Sequence, residues 1–411
     1  MSSVSSKTKK NLVVGAGLTG AVIAERLASV LGEDVLVIDK NHWLAGVAAD
    51  YKECGINVQK FGSHIFHTNH EFIWKYLNRF SKFNTCSYKV LAYVDGQYLN
   101  IPFNLNSVAA AFPKTLCEKL EKKLVKKYGY GARVPLADFK SKTFFWDKDL
   151  DFLASYVYQK VFINQYEKRM GMMNDAMLSC ALKKAFVSIS KDNRFYKDKY
   201  QGVPVLGYTK LIENILNHKN IRVLLNTDFK TVDIEGFDRV FYTGSIDEFF
   251  DFKYGTLGYR SAHFEFEEYE TEFFQNAGVV NYPNDYDFIK IHEFKRCCSP
   301  FVSRAKFGTA CSISSNKKTI IAKEYPADFK QGKNERLYPV QDNRSLKMLN
   351  LYKAEAKKLN NVYFLGRLGD FKYYSMDGAI KRALELFDSI KFKAAVEFCR
   401  EQAPNVSSGR I

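Results

Sequence analysis

The stretch Asn11-Leu-Val-Val-Gly-Ala-Gly-Leu-Thr-Gly20, followed by a second apolar run at Asp34-Val-Leu-Val-Ile-Asp39, decides how the rest of the chain is read. Leu12 to Val14 is a short apolar strand that stops at Gly15. Gly15, Gly17 and Gly20 stand at G-x-G-x-x-G spacing, and Ala21 to Val30 reads as a helix with Val22, Ile23, Leu27 and Val30 on one side. Gly15 permits a tight strand-to-helix turn, Gly17 lets the backbone approach a pyrophosphate, and Gly20 lets helix and strand pack closely. The helix start offers unpaired N–H groups and the positive end of its dipole to phosphates. Asp39 follows about 20 residues after the glycines, where an acid accepts hydrogen bonds from an adenosine ribose. Strand, glycine triplet, helix, strand and acid in this order predict a dinucleotide-binding unit. The alternative is a doubly wound core whose Gly-rich turn holds no ligand.

At 411 residues and 46% hydrophobic content, the chain has room for two or three domains with sizeable cores. A polar tail, Ser2 to Lys10, precedes the first strand without the apolar stretch of a signal peptide. No run approaches the roughly 20 apolar residues that span a bilayer. A cytoplasmic protein without stable membrane insertion is expected. The eight cysteines are scattered, Cys297-Cys298 is the only close pair, and no CxxC occurs, so neither a zinc site nor a disulfide framework is expected. The formal charge is +16, but the lysines are spread singly or in pairs, without an aromatic RNA-binding motif or a recognition helix. Nucleic acid is therefore not expected as a partner. The basic balance suits a solvated surface and an enzyme whose field draws in phosphorylated substrates.

Beyond Asp39, Phe61-Gly-Ser-His-Ile-Phe-His-Thr68 holds His64 and His67 at i and i+3. No carboxylate or thiolate accompanies them at ligand spacing, so a metal site gives way to a loop lying against a flat ring. Glu71 to Phe80 reads as a helix, and Tyr88 to Ile101 as a hairpin turning at Asp95-Gly96. From Leu105 to Ser190 helical periods take over. There Phe144-Phe-Trp146, Phe152, Tyr156, Tyr158, Phe162 and Tyr166 fall at helical spacing as core aromatics, some of them possible stacking platforms for a base. The α/β pattern resumes with a helix from Lys210 to Leu216 and strands at Ile221 to Leu225 and Arg239 to Gly244. Runs at Ala262 to Phe266, Gly278 to Tyr282, Phe288 to Phe294 and Thr319 to Tyr325 predict an antiparallel sheet. Val362 to Leu368 is a last core strand, followed by Tyr373 to Ile380 and a helix through Phe387.

The fold class expected is α/β: a Rossmann-like FAD-binding domain with an inserted helical domain and an antiparallel β-sheet domain. Its pieces are 8–82, 200–250 and 355–395 for FAD binding, 105–195 for the helical domain, and 83–104 with 251–330 for a sheet domain that binds substrate. Arg367, after Gly366 at a strand end, can pair bidentately with a phosphate.

Over nearly its whole length the chain resembles the UDP-galactopyranose mutase family. The resemblance rests on the N-terminal glycine motif with Asp39, Phe61–Thr68, Tyr200–Pro204 with Gly207–Thr209, and Tyr242–Asp251 with Tyr259–Ser261. Val280–Pro283, Glu324–Pro326 and Gly366–Leu368 complete it. It implies a reaction without net redox change. Reduced FAD attacks the anomeric carbon of a nucleotide sugar through N5, the ring opens and recloses as furanose, and the nucleoside diphosphate returns. NAD(P)H serves only as reductant, and the furanose supplies surface polysaccharide. The resemblance places Gly15, Gly17, Leu18, Thr19, Gly20, Asp39, Lys40, Gly46 and Arg367 on FAD and His64 near the flavin. It places Lys290, Tyr325 and Tyr373 on the substrate diphosphate, Tyr166 under the base, and Asn281 and Tyr282 beside the sugar. A homodimer is the family's common state.

The departures from the family pattern are specific. Ala45-Gly46-Val47 replaces Gly-Gly-Asn, Ser188 aligns with one diphosphate arginine and Lys290 with another, Met170 with a tryptophan, and Ser375 with an aspartate. Each lost charge-assisted hydrogen bond to phosphate costs about 1.5–3 kcal/mol. Three outcomes stay open: a mutase for this or another sugar, another flavoenzyme reaction on a nucleotide-linked substrate, and a non-catalytic descendant.

Overall fold

The computed structural model describes residues 10–139, 147–171, 185–298 and 317–402. Phe144-Phe-Trp146 lies outside them. The described residues form two compact units, one falling within Met1–Gly46, Thr209–Thr256 and Lys347–Ile411, the other within Val47–Tyr208 and Leu257–Leu346.

The first unit is built on a five-stranded sheet whose pairings are all parallel. Its order in space is Ile221–Leu224, Asp34–Ile38, Lys10–Val14, Arg239–Tyr242 and Val362–Phe364. The central strands are apolar on both faces, as burial between helices requires. Leu12, Val13, Val37, Ile38, Val240 and Phe241 are buried. The glycine turn leads into the helix Leu18–Leu31, which ends at Gly32 in the left-handed conformation with φ 67°. The 27-residue helix Met376–Gln402 packs on it. The last core strand stops at Phe364 rather than reaching Leu368, because Gly366 takes φ 84° and starts a helical turn over Gly366–Gly369.

The second unit is dominated by a seven-stranded sheet. Its order is Tyr338–Pro339, Tyr259–Tyr269, Thr319–Asp328, Lys290–Glu293, Val279–Asn281, Val90–Val94 and Gln97–Ile101. The Asp95-Gly96 hairpin forms as expected, with φ 49° and 80° at its two turn residues. One pairing, Val279–Asn281 on Val90–Val94, is parallel in an otherwise antiparallel sheet. The helical region has its own core of Leu120, Leu124, Leu150, Leu153, Val157 and Val187. Asp147 caps the helix Lys148–Tyr156 by accepting from the N–H groups of Asp149 and Leu150. That helix runs on through a π-helical segment, Val157–Ile163, into Asn164–Met170. Of the aromatics expected in the core, Tyr156, Tyr158 and Phe162 pack against it partly buried, whereas Phe152 is exposed.

Candidate functional site

In the first unit the three glycines owe their identity to different things. A Cβ on Gly15, which sits at φ +106°, would lie 2.0 Å from Thr243 Oγ1, and one on Gly20 would lie 1.9 Å from the Gly15 carbonyl oxygen. Those two glycines are required by the protein itself. Gly17 is not: its φ of −81° and ψ of −175° suit any residue, and a Cβ there would meet nothing within 4 Å. The helix it introduces has no side-chain cap and no acidic residue in its first turn. Open space beside bare N–H groups fits a diphosphate pressed against the backbone.

The other residues expected on the dinucleotide gather at this turn. Asp39 is buried and accepts from the N–H groups of Ala16 at 2.8 Å and Asn41 at 2.9 Å, and each oxygen keeps a lone pair for a ribose hydroxyl. Burial lifts its pKa, opposed by those two hydrogen bonds and by Lys40. A Cβ on Gly46 would sit 3.5 Å from Gly17 Cα, and the Ala45 N–H donates to Ala16 O at 3.0 Å. Ala45 itself stands at φ 70°, where an alanine carries a strain of about 1–2 kcal/mol that glycine avoids. A Cβ on Gly366 would touch the Thr19 side chain at 3.2 Å, which brings Gly366 against the first turn of the Leu18–Leu31 helix. The Arg367 guanidinium donates to Tyr374 O at 3.1 Å and lies 5.0 Å from the centre of the exposed Tyr373 ring. Lys40 points away to Glu248, at 3.6 Å.

In the second unit the sheet register selects the neighbours. Asn281 pairs with Lys290, and Lys290 with Glu324, so these three side chains share one face. His292, two residues along the strand from Lys290, shares it as well. Glu324 Oε2 lies 3.3 Å from Lys290 Nζ and 2.9 Å from His292 Nε2. On the other side of the ring, His292 Nδ1 accepts from the Ser63 N–H at 2.9 Å, so the neutral ring carries its proton on Nε2 and donates to Glu324. Burial would push the Glu324 carboxyl up, but the Lys290 ammonium and His292 outweigh it and hold the carboxyl well below the usual range. Burial pushes His292 down. The remaining acceptors, Glu324 Oε1 and Asn281 Oδ1, are buried and accept from no donor among the described residues. An unmatched buried acceptor costs about 1–3 kcal/mol, so both mark places for a ligand donor.

The Phe61–Thr68 loop lies on this face. Gly62, at φ +78°, would put a Cβ 2.9 Å from His292 Cε1, so only glycine lets loop and ring approach. His64 is clamped through its backbone: its N–H donates to Gln59 Oε1, and its carbonyl accepts from Tyr208 Oη at 3.0 Å. Its Nδ1 lies 2.8 Å from Gly62 O. His67 serves elsewhere, paired with Asp198 at 2.5 Å and stacked on Tyr196 at 3.6 Å.

Two residues expected beside Lys290 are placed apart from it. Tyr325 follows Glu324 and Tyr282 follows Asn281 along their strands, so both point to the opposite face. There Tyr282 is buried among Tyr93, Tyr286 and Phe288, and the Tyr325 ring centre is 6.0 Å from that of Phe288. Ser188, aligned with a diphosphate arginine, is buried with its Oγ 3.2 Å from Ser190 Oγ. Tyr166 is half-buried on the Asn164–Met170 helix. Three residues on, Arg169 lies 4.1 Å from the Tyr338 ring centre and adds to the positive field at Glu324. Sequence reading missed Arg169, Tyr338 and His292. Only His292 left a signal, as the alternate residue after Lys290 in a strand.

The chain matches the family described as UDP-galactopyranose mutase over residues 160–373, and the NAD(P)-binding Rossmann-like domain over residues 13–80. It is 31% identical, over 92% of its length and 94% of the relative's, to a protein of Klebsiella pneumoniae named probable UDP-galactopyranose mutase. It is 29% identical to the dTDP-fucopyranose mutase of Escherichia coli, over 92% and 97% of the two chains. Among solved structures it is similar in fold to a reduced UDP-galactopyranose mutase, with a TM-score of 0.65 at 13% identity over 95% of each chain.

Proposed function

The chain belongs to the UDP-galactopyranose mutase family, a family of isomerases, and from that premise we propose that it interconverts the pyranose and furanose forms of a nucleotide sugar with FAD as cofactor. The observation that carries the cofactor reading is Gly17, whose missing side chain the protein's own packing does not explain. Held by the Gly15–Gly20 turn, Asp39 and Arg367, reduced FAD would supply a nucleophilic N5 and with it covalent catalysis at the anomeric carbon without net redox change.

The protein's own tasks are binding and charge compensation. The glycine turn holds the dinucleotide diphosphate on its N–H groups, Asp39 takes a ribose hydroxyl, and Arg367 supplies a cation. Lys290 carries positive charge for the substrate diphosphate, and Glu324 holds that ammonium in place. Asn281 Oδ1 and Glu324 Oε1 accept from sugar or ribose hydroxyls. Tyr373 is the phenol for the diphosphate, and His64 shapes the flavin's surroundings. NAD(P)H acts only to reduce the flavin, and the furanose goes on to glycosyl transfer into polysaccharide.

The printed names of the relatives differ in both nucleotide and sugar, so the substrate is sought in a panel. Anaerobic incubation with dithionite and UDP-, dTDP- and GDP-sugars, read by chromatography, should yield a furanose. Reductant should be required without being consumed stoichiometrically. FAD-loaded protein that forms no furanose and instead turns over its reductant would mark another flavoenzyme reaction.

A further inference from the structure

We infer that His292 is a positioning residue of this site, one imidazole that ties the Gly62–Ser63–His64 loop to the carboxylate holding Lys290. The inference rests on the mutase reading for its catalytic meaning and on geometry for its physical content. His292 is 3% exposed and spends both ring nitrogens inside the protein, Nδ1 on the Ser63 N–H and Nε2 on Glu324 Oε2, each at 2.9 Å. Gly62 leaves no room for a side chain against the ring, so loop and imidazole are in direct contact. Glu324 binds Lys290 and His292 through the same oxygen, Oε2. A change in how strongly His292 donates therefore changes how strongly that oxygen holds the ammonium.

The consequence is a division of labour within one ring. Its Nδ1 side fixes the segment that carries His64, whose own ring and backbone are already clamped to Gly62, Gln59 and Tyr208. Its Nε2 side sets how freely Lys290 can turn from Glu324 to a substrate anion. Without the His292 donor, Glu324 takes the ammonium more completely and competes with the diphosphate for it.

Two conservative variants separate the halves. In His292→Asn the amide oxygen falls near the position of Nδ1 and keeps the Ser63 hydrogen bond. In His292→Gln the amide nitrogen falls near Nε2 and keeps the bond to Glu324. With the sugar identified in the panel above, His292→Asn should raise KM about tenfold with kcat within about twofold. His292→Gln should do the reverse, and His292→Leu should show both losses. A role confined to packing predicts that all three lose kcat and KM together in step with their melting temperatures. That pattern, or wild-type kinetics in all three, overturns the inference.

A readout independent of activity keeps this failure distinct from failure of the mutase reading. Histidine ¹⁵N chemical shifts should show His292 neutral with its proton on Nε2, and amide exchange at Ser63 should be at least about tenfold faster in His292→Gln and His292→Leu than in wild type or His292→Asn. An imidazolium, a proton on Nδ1, or equal exchange in all four proteins overturns the link even in an active enzyme. Wild-type protein that makes no furanose but shows the tautomer and the exchange pattern overturns the mutase reading alone.

Discussion

Replacing Gly17 and Gly20 by alanine, one at a time, separates a glycine kept for a ligand from one kept for the fold. In Gly20→Ala the new methyl would stand 1.9 Å from the Gly15 carbonyl oxygen and 3.2 Å from Val13 Cγ1. Helix and strand must part by about 1.5 Å to restore ordinary contact, and overpacking of that kind costs about 1–3 kcal/mol or more. In Gly17→Ala the methyl meets no atom of the described residues within 4 Å and φ is already acceptable, so only the difference between glycine and alanine as helix N-cap remains, at most about 1 kcal/mol. Bound diphosphate reverses the order. The Gly17 methyl would occupy the approach to the helix N–H groups, and losing two charge-assisted hydrogen bonds at about 1.5–3 kcal/mol each weakens binding at least a hundredfold. Thermal unfolding of the apo proteins should place Gly17→Ala within about 4 °C of wild type and Gly20→Ala well below. Titration with FAD, followed by quenching of its fluorescence, should show the large loss of affinity in Gly17→Ala. Wild-type FAD affinity in Gly17→Ala would refute the assignment of this turn to a diphosphate, and melting as early as Gly20→Ala would refute the reading of its surroundings as open.

The remaining predictions concern the departures and the charge cluster. Lys290→Arg restores a forked donor and should tighten nucleoside diphosphate binding roughly tenfold by calorimetry. Ala45→Gly relieves about 1–2 kcal/mol of backbone strain while loosening the unfolded chain by about 0.4–1 kcal/mol, so urea unfolding should report a net gain of about 0.5–1 kcal/mol. Tyr325→Phe should leave nucleotide-sugar binding within twofold, because that side chain sits on the face away from Lys290; a tenfold loss would contradict the face assignment. Both buried titrating groups have folded pKa values below their unfolded ones, so both stabilise above the unfolded pKa and lose that contribution as pH falls. For His292 the loss begins below about pH 6.5 and for Glu324 below about pH 4.3. Denaturant midpoints should therefore fall in two stages on acidification, and His292→Asn should abolish the upper stage.

The parallel sheet and its dinucleotide turn were legible in the sequence because each local signal there agrees with the tertiary one. An apolar strand, a turn only glycine can make, and an amphipathic helix need no distant partner to be recognised. The face that carries Lys290 was less legible. Asn281, Lys290 and Glu324 meet through strand register, and register is fixed by which strands pair and not by spacing along the chain. The family resemblance put Tyr325 and Lys290 on the same diphosphate, but one step along a pleated strand turns a side chain to the other side. Ser188 shows the same limit: alignment gives a position, and only the strand pairing shows that the buried serine has Arg133 directly opposite it.

The π-helical segment Val157–Ile163 sets the rotational phase of everything after it, Arg169 and Tyr166 included. The wide turn takes up one residue beyond the regular repeat, so deleting one from it, Gln159 for example, would let the helix relax with the downstream side chains nearly in phase, whereas a deletion in the regular helix before it would swing them by about 100° around its axis. A deletion of that second kind would take Arg169 off the Tyr338 ring without either residue being mutated. The short π stretch is thus a place where this helix can lose a codon and still keep Arg169 on its ring.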